Sequence, residues 1–481
     1  MNFNSIAFAI YMGIVFCVYW TISNQYRWIV VLAASCCFYL GFGVRFFVLL
    51  SAITVFSFLA GMVVGTDRKD KIRKKVYIFS IIAIVCILVY FKYAAFLIQS
   101  MNALLKFTTI QLHPFAQKIA LPVGISFYSF KALSYVIDVY KGRKAEDNLW
   151  KYAAFMFFFP EIASGPIDRA DHFLPQLTRI HEFSYSTVSY GLKLISWGLF
   201  KKIIVADTLA FYVDWVYGMS ESFSGFSLLL ISLFFSIQIY CDFSGYSDMA
   251  IGLAKMLDIE VKENFRSPYF SSSVREFWRR WHISLSTWFR DYLYIPLGGN
   301  RKGETRKNIN LLITFLVSGL WHGANWTFVF WGSLHGTAQV LENTFIRLFP
   351  AQSHKSWWKQ TLKTVLVFVF CNFAWIFFRA DTIGQAGYIV SHMFDGINHP
   401  VDYVVTAQQR LNIDIFMFSK ICVMILLVFL FDLIDIGGGG TIGMIGRQRL
   451  IVRWSIYVAF SFLIIAFLPV APATDFLYFQ F

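Results

Sequence analysis

Residues 264–303 read NFRSPYFSSSVREFWRRWHISLSTWFRDYLYIPLGGNRKG, and residues 311–336 read LLITFLVSGLWHGANWTFVFWGSLHG. The first stretch sets arginines, carboxylates and His282 among aromatic residues, and the second places His322 at the end of an apolar run. In a membrane protein, polar groups at this depth are costly unless they line a cavity or a path through protein. We therefore interpret the two stretches as a reaction chamber.

The composition of the 481-residue chain is typical of a polytopic membrane protein. It is 57% hydrophobic and only 15% charged, whereas a soluble domain is about a quarter charged. Aromatic residues reach 19%, which suits the aromatic belts found at both membrane interfaces. Apolar runs recur along the whole chain, so we expect a single membrane domain over residues 1–481.

The apolar runs predict an all-α fold, because a spanning helix needs about 20 apolar residues. We expect a transmembrane helical bundle of roughly eleven spans, with re-entrant and interfacial helices. Segment 150–169 is interrupted by Pro160, Gly165 and Pro166, which disrupt a helix. It is either a re-entrant segment or a span that ends at the interface. The polar link 381–415 has room for a short amphipathic helix and an exposed loop.

The net charge of +14 comes from basic residues in short loops between apolar runs. This pattern favours cytoplasmic anchoring of the loops over nucleic-acid binding, so no nucleic-acid partner is expected. The densest basic loop, residues 66–75, is predicted to be cytoplasmic, and counting back three spans places the N-terminus outside. The first apolar run lacks the features of a cleaved signal peptide, which predicts a retained transmembrane helix. The seven cysteines show no CxxC spacing, so neither a metal site nor a disulfide framework is indicated.

Four charged residues lie inside otherwise apolar segments. Lys131 and Asp138 are two helical turns apart and share a face, so they either pair or line a polar path. Asp242 and Asp248 are either acid–base groups or helix caps, and the frequency of Asp at helix termini favours caps.

His322 is the first candidate for chemistry. A buried neutral imidazole can accept a proton, because burial disfavours the imidazolium. The alternative is a structural histidine hydrogen-bonded to a backbone carbonyl. The neighbouring Trp321, Asn325 and Trp326 indicate a polar-aromatic pocket, which strengthens the functional interpretation.

His282 is the second candidate. It follows Arg280, which is four residues after Glu276, a spacing that predicts an ion pair between those two side chains. One interpretation is an amphipathic interfacial helix with His282 merely polar. In the other, the helix is tucked inward, with His282 in the cavity and an arginine near a phosphate-bearing donor. His335 follows His322 by thirteen residues, which places it on the opposite face of an unbroken helix and predicts a structural or secondary role.

A single activated base favours acyl transfer to a hydroxyl, in which the base removes the hydroxyl proton. The chain lacks the G-x-S-x-G, Walker A and H-E-x-x-H motifs, which weakens serine esterase, ATPase and zinc protease as alternatives. A transporter or lipid flippase is a different class of function. Such proteins commonly contain internal repeats, and the sequence reveals none.

At these residues the chain resembles the membrane-bound O-acyltransferases, and within them the bacterial polysaccharide branch typified by alginate O-acetyltransferase. The resemblance covers nearly the whole chain. The motifs that carry it are LPVGISFYSF, SGPIDR, DFSGYSDMAIG, NFRSPYF, EFWRRWHISLSTWFRDYLYIPLGGNR, GLWHGANWTFVFWGSLHG, FAWIFFRA and the terminal FLYFQF.

The resemblance implies a helical bundle around a central funnel in the bacterial cytoplasmic (inner) membrane, with His322 as the signature histidine and His282 as the second one. It implies no bound cofactor. An acyl thioester, with acetyl-CoA as the expected donor, serves on the cytoplasmic side, and hydroxyls of an exported polysaccharide such as alginate accept the acyl group outside. An extracytoplasmic partner of the serine-hydrolase-like type is expected to complete the transfer. The motif SGPIDR also resembles the D-alanyl transfer proteins of teichoic acid modification, and peptidoglycan O-acetylation is a further alternative.

Overall fold

A computed structural model of the chain describes residues 3, 5–66, 70–107, 120–348, 356–437 and 440–467. Over these residues it is all-helical and contains no strand, which confirms the predicted all-α class. The terminal motif FLYFQF lies outside the described residues, as do Arg68 and Lys69 of the predicted cytoplasmic loop.

The chain divides into two compact units, and the first comprises Met1–Leu192 with Ala250–Lys262. Its helices are α1 Ile6–Thr21, α2 Arg27–Leu40, α3 Val44–Val64, α4 Asp70–Leu88, α5 Ala94–Leu104, α6 Ile125–Tyr140, α7 Leu149–Phe157, α8 Ala170–Phe173 and the beginning of α9 Tyr185–Leu199.

The second unit comprises Lys193–Met249 with Glu263–Gln480. The polar link 381–415, predicted to contain one short helix, contains two helices in the structure. The helices that follow α9 are α10 Asp207–Gly218, α11 Phe226–Met256, α12 Val274–Arg280, α13 Ile283–Phe289, α14 Gly303–His322, α15 Trp326–Leu348, α16 Trp357–Arg379, α17 Ile383–His392, α18 Pro400–Arg410, α19 Ile415–Ile436, α20 Thr441–Gly446 and α21 Leu450–Phe467.

Several of these helices are long and apolar enough to cross a bilayer. Within the described ranges there are five such helical segments, and two shorter apolar helices accompany them. The chain is therefore a multi-pass membrane protein, while the total of eleven spans stays a prediction. The five segments are Val44–Val64, Asp70–Leu104, Phe226–Met256, Trp357–Arg379 and Ile415–Ile436.

The interrupted segment 150–169 turns back inside the first unit. Helix α7 ends at Phe157, and the following turn is buried. The turn brings Glu161 to 2.6 Å from the Nζ atom of Lys131 on α6. Lys131 also donates to the carbonyl oxygen of Phe155 at 2.9 Å. Lys131 therefore pairs with Glu161. The spacing in the sequence had indicated Asp138 as the possible partner.

The same segment ends in a carboxylate–imidazole pair. Asp168 is fully buried, and its Oδ2 atom lies 2.6 Å from Nδ1 of His172 on α8. The other carboxylate oxygen lies 3.4 Å from Nζ of Lys262. The hydrogen bond to Asp168 raises the pKa of His172 above its usual value and outweighs the opposing effects of partial burial and Lys262.

Replacing Asp168 with asparagine should destabilise the protein more at pH 6 than at pH 9. Because the folded-state pKa of His172 is raised, the contact with Asp168 stabilises the fold fully below the unfolded pKa of about 6.5. This contribution is lost as the pH rises through the raised value. Thermal unfolding of the detergent-solubilised protein at both pH values measures the difference. Asp171→Asn is the control, because Asp171 pairs with Arg143 at 3.3 Å and an arginine stays charged throughout this range. Equal losses for Asp168→Asn at both pH values would contradict the assignment.

Two successive lysines pair with carboxylates of α11 in the second unit. Lys202 lies 2.7 Å from Asp242 and 2.8 Å from Asp207. Lys201 lies 2.5 Å from Asp248. The interpretation of Asp242 and Asp248 as helix caps is wrong, because both lie inside the 31-residue helix α11 and form ion pairs, buried at Asp242 and partly buried at Asp248.

Candidate active site

Helices α14 and α15 are joined by a tight connection that fixes His322. Helix α14 ends at His322 because Gly323 takes an extended conformation, with φ −161° and ψ 149°. The side chain of Asn325 then accepts a hydrogen bond from the backbone N–H of Thr327 at 3.2 Å and begins α15. A Cβ atom on Gly323 would lie 2.0 Å from the ring of Phe328, so only glycine fits this connection without rearrangement.

The two helices also approach closely along their length. A Cβ atom on Gly319 would lie 2.3 Å from the carbonyl oxygen of Phe328, and one on Gly332 would lie 2.4 Å from the carbonyl oxygen of Phe315. Protein interiors are close-packed and transmit such displacements. The hairpin of α14 and α15 is therefore a rigid support for His322.

His322 lies in an aromatic enclosure. Its side chain is almost completely buried. The rings of Trp321, Trp331 and Phe378 surround it, with centroid distances of 5.0, 5.1 and 5.4 Å. All three meet the imidazole at steep angles, an arrangement that aromatic pairs favour. This enclosure disfavours a permanent charge on the imidazole.

His282 lies at the junction between the short helices α12 and α13. Its backbone is in the left-handed region, with φ 43° and ψ 54°. The side chain is completely buried, and the ring of Phe243 stands edge-on to it at a centroid distance of 4.6 Å. The alternative, in which His282 is merely a polar residue of an amphipathic interfacial helix, does not fit this complete burial.

The structure brings the two singled-out histidines together. The ring centroids of His282 and His322 are 6.3 Å apart, with an interplanar angle of 59°. Trp321 contacts both rings, at 5.9 Å and 5.0 Å. Two neutral imidazoles at this separation can contact different parts of one reacting group. Their catalytic roles stay predictions.

His335 belongs to the same cluster of rings. The sequence pattern did not predict this placement. Its ring lies 4.9 Å from that of Trp331, which also contacts His322. The argument from an unbroken helix was wrong, because the connection after His322 separates two helices. Trp278 donates its indole N–H to Nδ1 of His335 at 3.2 Å, which places the proton of a neutral His335 on Nε2.

A cavity of about 390 Å³ opens beside this cluster and is lined by basic, polar and aromatic side chains. It reaches Leu285 and Ser318, which lie about one helical turn from His282 and His322 in the sequence. The two histidines themselves do not line it. The lining residues are Arg275, Trp278, Arg279, Leu285, Ser286, Phe289, Arg290, Tyr294, Asn300, Lys307, Leu311, Thr314, Phe315, Ser318, Gln339 and Asn343.

The charges of the cavity are unevenly compensated. Arg290 pairs with Asp291 at 2.7 Å, and Lys307 with a carboxylate at 3.1 Å. Arg275 and Arg279 form no ion pair with any described residue. The cavity therefore presents two arginine charges suited to an anionic group.

The predicted pair of Glu276 and Arg280 is confirmed at 2.6 Å. Burial raises the pKa of Glu276, but hydrogen bonds from Ser272 and the charge of Arg280 outweigh it and lower the pKa overall. Glu276 is therefore ionised at neutral pH and compensates Arg280, which does not line the cavity.

The chain is similar to known proteins over most of its length. Residues 74–380 match the family described as MBOAT, membrane-bound O-acyltransferase family. The chain is 40% identical over 380 residues to a probable alginate O-acetylase AlgI of Azotobacter vinelandii, which covers 78% of this chain and 74% of that protein. It is 34% identical over 398 residues to a peptidoglycan O-acetyltransferase of Helicobacter pylori, covering 77% and 74%. It is 30% identical over 238 residues to a teichoic acid D-alanyltransferase of Streptococcus thermophilus, covering 47% and 57%.

The family match includes α12 to α15 and both clustered histidines. The relatives that match most of this chain are named for O-acyl transfer, which confirms the prediction of an O-acyltransferase. The chain belongs to the membrane-bound O-acyltransferase family.

Proposed function

We propose that this enzyme moves an acetyl group from a cytoplasmic thioester, acetyl-CoA, across the membrane to hydroxyls of an exported polysaccharide such as alginate. The observation that carries the proposal is the meeting of His282 and His322, with ring centroids 6.3 Å apart. Similarity supports the acetyl group and the polysaccharide, because the acetylase relative is 40% identical over 78% of the chain.

In the proposed reaction His322 is the general base. It takes the proton from the acceptor hydroxyl while the oxygen attacks the thioester carbonyl carbon. The new carbon–oxygen bond forms, the carbon–sulfur bond breaks, and the proton passes from the imidazolium to the departing thiolate. His282 positions the thioester or assists on the donor side. Neutral imidazoles suit this cycle, since each turnover returns the base to its starting state.

The cavity beside the histidines is the proposed route for the donor. Coenzyme A carries phosphate groups, which arginine binds through charge-assisted hydrogen bonds. Arg275 and Arg279 supply such charges on α12, and Trp278 on the same helix links the cavity to the buried cluster through His335. The acetyl group would then enter the aromatic enclosure ahead of the phosphates.

Replacing Arg275 and Arg279 together with glutamine should raise the KM for acetyl-CoA about 10-fold or more, with kcat changed by less than about 3-fold. A hydrogen bond to a charged group contributes about 1.5–3 kcal/mol to binding, and binding shared by ground and transition states changes KM alone. Titration of labelled acetyl-CoA into inverted membrane vesicles measures both constants. The control is Arg266→Gln, because Arg266 lies in the same stretch, is 73% exposed and pairs with Glu263. An unchanged KM in the double variant would show that the donor does not bind through this cavity.

The proposal places the enzyme in the bacterial cytoplasmic membrane with its N-terminus outside. The basic residues 68–75 support a cytoplasmic loop after α3. The acceptor then lies on the opposite side from the donor. An extracytoplasmic protein of the serine-hydrolase-like type is the proposed partner that completes transfer to the polymer.

Mass spectrometry of the exported polymer, from cells with and without this gene, tests the proposed function. Loss of acetyl esters from the polymer, restored by the parent gene, is the expected result. Acetyl esters lost from peptidoglycan instead, or D-alanyl esters lost from teichoic acid, would identify another acceptor. A fall in the amount of secreted polymer with unchanged acetylation would favour a transporter and contradict the proposal.

A further inference from the structure

Asn264 is a buried amide that contacts the junction carrying His282. Its side chain is 1% exposed. The Oδ1 atom accepts from Ser284, at 3.2 Å from the backbone N–H and 2.6 Å from the hydroxyl. The backbone carbonyl of Asn264 accepts from the N–H of Ile283 at 2.9 Å. One residue therefore accepts the backbone N–H groups of the first two residues of α13.

This arrangement replaces the usual helix cap. The residue before a helix commonly caps it with its own side chain, but His282 makes no such hydrogen bond. Its left-handed backbone, with φ 43°, is unfavourable for a non-glycine residue and persists only where the surroundings enforce it. Asn264 caps α13 from outside the helix and thereby holds this backbone conformation. The side chain of His282 is not needed as the cap.

The amide also defines the protonation of His282. The backbone N–H of Ser284 can only donate, so the amide atom facing it is the oxygen. The same Oδ1 atom lies 3.4 Å from Nδ1 of His282, a long hydrogen bond in which Nδ1 must be the donor. The Nδ2 atom of Asn264 donates to Oγ of Ser247 at 3.3 Å and holds the amide in this orientation. A neutral His282 therefore carries its lone pair on Nε2.

We propose that Asn264 is a positioning residue for the transfer reaction, fixing both the left-handed backbone of His282 and its Nδ1-protonated tautomer. This inference rests on the proposed function. It differs from a packing role, because only an acceptor at Oδ1 can satisfy the donors of Ser284 and His282. A side chain of the same shape without an acceptor would fill the space and fail in the reaction.

Two nearly isosteric variants separate these roles. Asn264→Asp keeps the acceptor but replaces the donor to Ser247 with an ionisable carboxyl oxygen, and it should still retain at least about a tenth of the parent kcat. Asn264→Leu keeps the number and branching of the side-chain heavy atoms but loses the acceptor, and it should lower kcat about 100-fold, the size expected when a reacting group is misplaced by about 1 Å. The KM for acetyl-CoA should stay within about 3-fold in both. Asn372→Leu is the control, because Asn372 is a buried amide bonded to Ser232 and outside the histidine cluster.

The measurement is steady-state acetyl transfer at matched amounts of folded enzyme, with folding followed by size-exclusion chromatography and thermal unfolding. Asn264→Leu added to His282→Ala should cause less than about 3-fold further loss, because residues acting as a unit are not additive. Parent-like kcat in Asn264→Leu, or a full 100-fold further loss in the His282→Ala background, would overturn the inference and leave the proposed function intact. Full activity of His282→Ala alone would also overturn the inference, together with the assistance assigned to His282, and would leave His322 as the proposed base.

Discussion

Replacing His322 with alanine should abolish acetylation of the exported polymer. A positioned general base contributes about 10²–10⁴-fold to a rate, and the buried enclosure around His322 offers no second group in the same place. The enclosure is built from Trp321, Trp331 and Phe378, none of which can accept a proton. We expect acetyl content in cells carrying the variant to fall by at least about 100-fold, measured by mass spectrometry of the polymer.

Two further variants make this result interpretable. His322→Gln keeps a polar side chain of similar reach but has no basic nitrogen, so it should be as inactive as His322→Ala. His399→Ala removes an exposed histidine before α18 and should acetylate normally. Protein amount in the membrane is matched by immunoblotting. Parent-level acetylation by either His322 variant would show that His322 is not the general base.

Replacing Lys202 with methionine should lower the free energy of unfolding by about 3–5 kcal/mol, the cost of leaving a buried charge uncompensated. Lys202 is 1% exposed and lies within 2.8 Å of both Asp207 and Asp242. Without its ammonium group, two buried carboxylates lose the cation that they share. Thermal unfolding in detergent, together with the monodisperse fraction after chromatography, measures the loss.

Removing the carboxylate charges should reverse that loss. Lys202→Met combined with Asp207→Asn and Asp242→Asn leaves no uncompensated charge at this site and should regain most of the parent stability, because an apolar or neutral replacement of a whole buried pair is often neutral. Lys359→Met, on an exposed face of α16, is the control. A stable Lys202→Met protein would mean that the ion pairs do not support the fold.

The sequence was sufficient for the all-helical class and for singling out two histidines, whose catalytic roles stay predictions. Long apolar runs leave helices as the main option for a membrane protein, so the all-helical class followed directly. His282 and His322 were recognisable because each lies in an aromatic, partly polar motif. The distance of 6.3 Å between their ring centroids comes from the structure.

The partners of buried charges were less accessible to sequence reasoning. Lys131 pairs with Glu161 because a turn returns the chain to α6, and no spacing rule reports such a return. Asp242 was misassigned as a cap because its lysine partner lies forty residues away in the sequence. The position of His335 depended on a helix break at Gly323, which an apolar pattern does not reveal.

In the sequence, Asn264 was noted only as the first residue of the motif NFRSPYF. Its importance depends on a left-handed backbone at His282 and on donors from the next helix, and both are three-dimensional facts. From the sequence, we expected a cavity that holds His282 and an arginine near a phosphate-bearing donor; Arg275 and Arg279 line the cavity, His282 does not, and the donor stays a prediction. The walls of the cavity come from the four consecutive helices α12 to α15 and from the connection between α13 and α14, and the way they fold around one another required the structure.

The position of His322 at the last residue of α14 has an electrical consequence. The aligned peptide dipoles of a helix give its carboxyl end a partial negative charge, which stabilises a nearby cation by up to about 2 kcal/mol in partly buried geometries. Helix α14 is 20 residues long and ends on this imidazole. If His322 is the base proposed above, this fixed potential favours the imidazolium when the ring takes up a proton, and the aromatic enclosure favours the neutral ring before and after.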